Sequence, residues 1–290
     1  MGDLFAIITA ICWSSAVILF DLASKRFQAL HLNAIKNSIG VCGFFITIVI
    51  FSIPVPNFSI HDLSVLFISG IFGIMIADVL FLDSLRRIGS GLSAVVSTLY
   101  TPTIFILAFF MFHETISTWS YLGGALVIFG IILSVYKTPN RLHKKDLYIG
   151  IIFGVIAQLL TAFSVLMVKP IMEDTSVVVI ALFRFGIGLS ATVIIILIRE
   201  GFSIFYQKIK QGLNDKIVVI GSILGTYLSV IFWLAGYKYT LAGRAAIYNQ
   251  ISTIFIIVMA RIFLKETLGY RKIIGVCISI IGAIMVTVKY

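Results

Sequence analysis

Apolar runs of about twenty residues alternate along this chain with short gaps that hold most of the charge. The runs predict ten helices, approximately Leu4–Leu22, Leu32–Ile53, Leu63–Leu85, Gly91–Phe112, Thr118–Tyr136, Leu147–Val168, Val177–Ile198, Lys216–Tyr237, Ala242–Leu264 and Ile273–Val288. A bilayer core of roughly 30 Å takes about 20 helical residues per crossing. Inside it every backbone amide must be bonded within its own segment, which a helix achieves. The period-two alternation of a membrane barrel is absent. The longest break, Arg199 to Lys216, carries Phe202, Phe205, Ile209 and Leu213 at near-helical spacing around Lys208 and Lys210, and reads either as a helix lying in the interface or as a solvated loop.

The pattern also repeats. Glu114-Thr115, after the fourth predicted helix, recurs 152 residues later as Glu266-Thr267 after the ninth. The same offset pairs Gly73 with Gly225, Gly91 with Gly243, Ala94 with Ala246, Thr101 with Thr253, Ala108 with Ala260, Gly123 with Gly275 and Gly130 with Gly282. Nearer the start of each half, Lys36 and Gly40 align with Arg184 and Gly188 at an offset of 148, the shift a longer second-half loop produces. Five helices per repeat is an odd number, so the halves run in opposite directions across the membrane. The predicted fold is therefore an all-α membrane protein of ten transmembrane helices in two inverted five-helix repeats, the architecture of carriers with a midplane site.

Composition narrows the picture further. With 60% hydrophobic residues, 12% charged and a mean hydropathy of +1.12, water is not the main solvent of this chain. The net charge of +10 sits in loop positions and matches headgroups and topology, which excludes nucleic acid as the expected partner. Cys12, Cys42 and Cys277 fall inside apolar runs without metal-ligand spacing, so neither disulfides nor a metal nor another cofactor is expected. The first residues lack a basic region and a small-residue cleavage site, and read as the first crossing. Lys and Arg concentrate in the odd-numbered loops, and the positive-inside rule then places those loops in the cytoplasm and both termini outside.

Several residues together resemble the drug/metabolite transporter superfamily and, within it, the ten-helix EamA-like family. They are Trp13-Ser14 in the first helix, the basic residues Lys36 and Arg184 in the second and seventh, Pro102 in the fourth, and the helix-ending His113-Glu114-Thr115 and Lys265-Glu266-Thr267. Small-residue packing at Gly123 and Gly130, and at Gly275 and Gly282, comes after each Glu-Thr. The chain departs from the family pattern at His113 and Lys265, where glycine usually precedes the glutamate, and at Ile254, where proline is usual. The resemblance implies a first EamA-like repeat over residues 1–136, a basic linker over 137–146 and a second repeat over 147–290. It also implies cytoplasmic termini, opposite to the charge count, and a bacterial inner-membrane location.

Candidate chemistry lies in the polar atoms within apolar runs. Asp78 is an isolated carboxylate in the third helix, a cost of several kcal/mol unless paired, wetted or protonated. It reads as a coupling or amine-binding group, or as a structural partner for a hydroxyl, Lys36 or Arg184. Lys36 and Arg184 read as anion-binding groups or as side chains reaching headgroups. Ser97 and Thr101 on the fourth helix and Asn249 and Thr253 on the ninth form equivalent polar faces, with Tyr100 beside them; they line a cavity or bond between helices. Trp13, Ser14, Gln158 and Thr161, with Tyr227 and Trp233 from the eighth helix, complete the candidate wall. Pro102 is expected to bend the fourth helix, and Glu114 and Glu266 to cap helix junctions or meet nearby bases.

These features predict a secondary transporter, an exporter or exchanger of a small polar or amphipathic metabolite such as an amino acid, working by alternating access. Membrane lipids, the solute and protons are its expected partners, as monomer or homodimer. No catalytic motif or ATP-binding loop is present in the sequence, so an enzyme is not expected. The competing reading is a lipid-directed enzyme, scramblase or sensor on the same scaffold.

Overall fold

The computed structural model describes residues 2–112, 118–135, 143–239, 242–266 and 269–286. His113, Glu114, Thr115, Lys137, Arg141 and Thr267 lie outside the described residues. The helices are α1 (Gly2–Ser24), α2 (Ala29–Ile50), α3 (Ile60–Ser69), α4 (Asp78–Ser97), α5 (Tyr100–Phe112), α6 (Thr118–Val135), α7 (Lys144–Met172), α8 (Val177–Leu213), α9 (Lys216–Ser222), α10 (Ser229–Tyr239), α11 (Ala242–Phe263) and α12 (Tyr270–Val286). A π-helical segment, Gly70–Ala77, joins α3 to α4, and another, Ile223–Leu228, joins α9 to α10. α3 with α4 as far as Gly89, and α9 with α10, each form one crossing.

The sequence boundaries move where the backbone is interrupted. The third crossing runs past Leu85 and stops at Gly89, whose φ of 74° glycine adopts without steric cost. The fourth crossing starts at Ser90 and is itself broken at Thr98 and Leu99, whose amides turn back to Val95 and Val96. Pro102 explains the break, because it has no N–H to return to the Thr98 carbonyl four residues earlier. A second glycine with positive φ, Gly201 at 81°, ends the seventh crossing inside α8. Beyond it Phe202, Tyr206 and Leu213 are exposed while Ile209 packs on the core, so the segment is the amphipathic helix and not the solvated loop.

The two halves meet in mirrored contacts. Gly73 and Gly225 each lie in a π segment, at the offset read from the sequence. Gly130 packs on the Gly275 carbonyl and Gly282 on the Gly123 carbonyl, one contact seen from each repeat. Likewise Gly40 abuts Thr226 and Gly188 abuts Ile74. Such closeness requires glycine, since in hydrocarbon helices are held by packing and not by expulsion of water.

The described residues of loops 1, 3, 5, 7 and 9 lie on one face, as inverted five-helix repeats require. Arg26 pairs with Asp215, His31 with Glu200, Arg87 with both Asp83 and Asp146, and Lys272 with Glu266. On the opposite face Lys238 donates to the Thr175 carbonyl. Two buried apolar clusters fill the interior. One, including Phe20, Leu32, Leu85, Leu92 and Val218, lies toward the odd-loop face. The other, including Phe44, Leu66, Leu166, Ile180 and Leu234, lies toward the even-loop face. Exposed large apolar side chains such as Phe45, Ile50, Phe110, Ile132 and Ile198 form the lipid-facing exterior of an integral membrane protein.

A side chain added at Gly130 meets the Gly275 carbonyl and the Ser279 amide, whereas one at Gly186 meets nothing. Gly130→Val is expected to cost about 1–3 kcal/mol by overpacking and to lower the melting temperature in detergent by several degrees. Gly186→Ala should leave it unchanged; equal effects would contradict the glycine seam.

Candidate functional site

A cavity of about 150 Å³ lies between the two apolar clusters, at mid-depth of the crossings. Thr9 and Trp13 come from α1, Lys36 from α2, and Gly73, Ile74, Asp78 and Phe81 from the third crossing. Ser97 and Tyr100 flank the break in the fourth. The second half supplies Gln158, Thr161 and Ser164 from α7, Arg184 and Phe185 from α8, Thr226, Ser229, Val230 and Trp233 from the eighth crossing, and Ser252 and Thr253 from α11.

Helix interruptions place the polar groups. The π segment adds residues within a turn and rotates the helix beyond it, which brings Asp78 to the wall. There Asp78 accepts from Lys36 Nζ at 2.5 Å, and the same Nζ donates to Asn37 Oδ1 at 2.9 Å. Asn37 donates in turn to Asn33 Oδ1, and Asn33 to the Ile74 carbonyl at 3.0 Å and to Thr192 Oγ1. A buried polar chain thus begins and ends on the third crossing, one turn apart, with its far branch on α8. Lys36 is 6% exposed and turned inward, so it does not reach headgroups.

Arg184 is fully buried. Its Nε donates to Ser69 Oγ at 2.8 Å and its Nη2 to Ser164 Oγ at 3.1 Å, while Trp233 lies 5.9 Å from its guanidinium carbon. Among the described residues its Nη1 has no hydrogen-bond partner. It too faces the cavity and not the interface. Elsewhere on the wall Gln158 donates to Ser97 Oγ at 3.1 Å, and Tyr100 shares a hydroxyl hydrogen bond of 2.8 Å with Tyr237.

Three candidates stand off the cavity wall. Ser14 is buried and returns its hydroxyl to the Ala10 carbonyl of its own helix. Thr101 is fully buried, turned away from the face that carries Ser97 and Tyr100 by the break before it. Tyr227 lies over Gly43 with its hydroxyl at Thr47 Oγ1, a packing contact between α2 and the eighth crossing. Asn249 is on α11, its side chain outside the described part of the structure. Trp13, Asp78, Ser97, Tyr100, Gln158, Thr253, Lys36 and Arg184 come together at the cavity.

Sequence reasoning missed Ser69, Asn33 and Asn37, which hold the two cations in place from behind the wall. It also passed over Thr226 and Ser229, which precede Trp233 on one helical face; that polar stripe within an apolar run was the available signal. Glu266, expected to cap a helix junction or to meet nearby bases, does both. The Gly89 break leaves the first amides of the fourth crossing without helical partners. Glu266 Oε1 accepts from Gly91 N and Ser90 Oγ, its Oε2 meets Lys272, and Asp21 of α1 accepts from Ser90 N at 2.9 Å. These contacts tie the first, fourth, ninth and tenth crossings together on the odd-loop face.

A crystal structure superposes on 98% of this chain and 95% of its own, with a TM-score of 0.68 at 12% identity, which shows a shared fold. Among curated proteins, an uncharacterized transporter of Archaeoglobus fulgidus is 19% identical over 97% of this chain and 96% of its own length. Another from the same organism is 26% identical over a stretch covering 41% of each chain. The uncharacterized transporter YyaM of Bacillus subtilis is 24% identical over 37% of this chain and 33% of its own. The profile of the EamA-like transporter family matches residues 1–136 and 148–288, nearly the whole chain, so this ten-helix membrane protein belongs to the EamA-like transporter family.

Proposed function

We propose that this chain is a secondary transporter, an exporter or exchanger in a bacterial inner membrane, that moves a small polar or amphipathic metabolite by alternating access. An amino acid is one such solute. The observation that carries the reading is the charged cavity at mid-depth, bounded by an apolar cluster toward each face. A solute held there is offered to one aqueous phase and then the other as the two halves rock against each other. Residues 1–136 and 147–290 are the units that rock.

Asp78 is the coupling group in this reading. Its pairing with Lys36 ties α2 to the third crossing, and a proton or a solute amine at the carboxylate competes with that pair. Loss of one partner leaves the other as a buried charge, so occupancy of Asp78 is transmitted directly to helix packing. The cluster around Glu266 is the closing contact of the odd-loop face, and inward and outward states differ in whether it is made.

Reconstituted into proteoliposomes, the protein is expected to catalyse saturable, solute-specific counterflow; flux that never saturates would remove the carrier reading in favour of a channel or scramblase. Asp78→Asn is expected to lower flux by about tenfold or more, since an uncompensated buried Lys36 costs about 3–5 kcal/mol, and to flatten its pH dependence. Unchanged flux and pH profile would dismiss Asp78 as the coupling group.

Glu266→Gln weakens the closing contact by about 1–3 kcal/mol, the cost of losing charge-assisted hydrogen bonds. In a background lacking Cys12, Cys42 and Cys277, Ser97→Cys should then react faster with an impermeant thiol reagent added at the odd-loop face. Labelling that is no faster, or faster only from the other face, would show that Glu266 does not hold that face closed.

A further inference from the structure

Repeat symmetry exposes a missing counter-ion. Lys36 and Arg184 occupy equivalent positions, and so do Asp78 and position 230 at the 152-residue offset. In the first half the pair is complete, Lys36 with Asp78. In the second half position 230 is Val230, which lines the cavity but offers no charge. Two serines hold the Arg184 guanidinium by Nε and Nη2, fixing its plane, while Nη1 finds no partner among the described residues of a fully buried side chain. A buried guanidinium with an unanswered donor is costly unless something supplies the acceptor.

From this geometry we propose that the solute supplies the missing counter-ion, so that the cavity takes an organic monocarboxylate with its carboxylate on Arg184. The proposal rests on the transporter reading and names the solute class for it. Charge balance favours one negative charge over two: among the described residues the charged groups on the wall are Lys36, Asp78 and Arg184, one positive charge in excess. A planar carboxylate suits the planar fork of arginine, with Nη1 as the donor that lacks a partner among the described residues. The rest of the wall suits an apolar body, with Trp233 beside the guanidinium and Phe185 and Phe81 on the same cavity. At about 150 Å³ the space has room for a group about the size of benzene.

The test uses the full-length protein in nanodiscs and reads tryptophan fluorescence, since Trp233 lies against the proposed site. Acetate, butyrate and benzoate are titrated beside acetamide, butyramide and benzamide, with inorganic phosphate as a separate arm. At least one acid is expected to saturate the signal and to bind about tenfold or more tighter than its amide, the scale of a charge-assisted hydrogen bond. Arg184→Gln should abolish that preference. Because removing Arg184 endangers folding, Val230→Asp is the second variant: it rebuilds the internal counter-ion, and is expected to leave the melting temperature equal or higher while losing acid binding by about tenfold or more. Acids binding no better than their amides, phosphate saturating where no acid does, or Val230→Asp retaining acid affinity would each overturn the assignment. Equilibrium binding needs no transport. Acid binding without counterflow therefore sinks the carrier reading alone, and counterflow of an uncharged or cationic solute without acid binding sinks this proposal alone.

Discussion

In hydrocarbon no water answers a backbone polar group, and each buried one left unpaired costs about 1–3 kcal/mol. Continuous helices meet that demand by themselves, so the informative places in this protein are those where a helix is interrupted and something else must answer. At Gly89 two carboxylates from elsewhere in the chain, Asp21 and Glu266, accept from the freed start of the fourth crossing. In the first π segment the Ile74 carbonyl accepts from Asn33. These two interruptions each draw in side chains from other crossings, whereas the break at Thr98 and Leu99 is answered within its own segment. The need to satisfy backbone groups thus decides which crossings are bound to each other and where the cavity between them lies.

The same constraint governs charge. Lys36 and Asp78 share a site because neither is tolerated there alone, and Asn37, held by Asn33, accepts a second hydrogen bond from the ammonium. Arg184 follows the rule less completely. Its serine partners fix its orientation without neutralising it. The site is therefore rigid in geometry while uneven in charge, which is the condition for recognising a solute rather than merely accommodating one.

Much of this was legible in the sequence. Run length against bilayer thickness gave the crossings, and the Glu-Thr repeat gave the inverted halves, because both depend on constraints that act residue by residue along the chain. The mid-chain break of the fourth crossing was legible from Pro102, whose missing donor is a local fact. What the sequence obscured was direction. Ser97 and Thr101 are four apart and share a face of any regular helix, yet Thr98 and Leu99 break the helix between them, and only Ser97 lines the cavity. Lys36 and Arg184 lie close enough to helix starts to suggest headgroups, and only the tertiary partners Asp78, Ser69 and Ser164 turn them inward. The π segments have no sequence signature beyond glycine, so the re-aiming of Asp78 could not be read in advance.

The glycine seam between α6 and α12 bears on the balance between conformations. Gly130 on Gly275 and Gly123 on Gly282 are one contact related by the exchange of halves, and such a contact has the same energy when the halves trade roles. It holds the molecule together while contributing nothing to the choice of state, as a bearing does for a shaft. In the proposed alternating-access cycle the resting population is then set by interactions without a twin, Lys36 with Asp78 foremost among them. Substitutions in the seam should change how much protein folds, and substitutions at the unpaired contacts should change which way the folded protein faces.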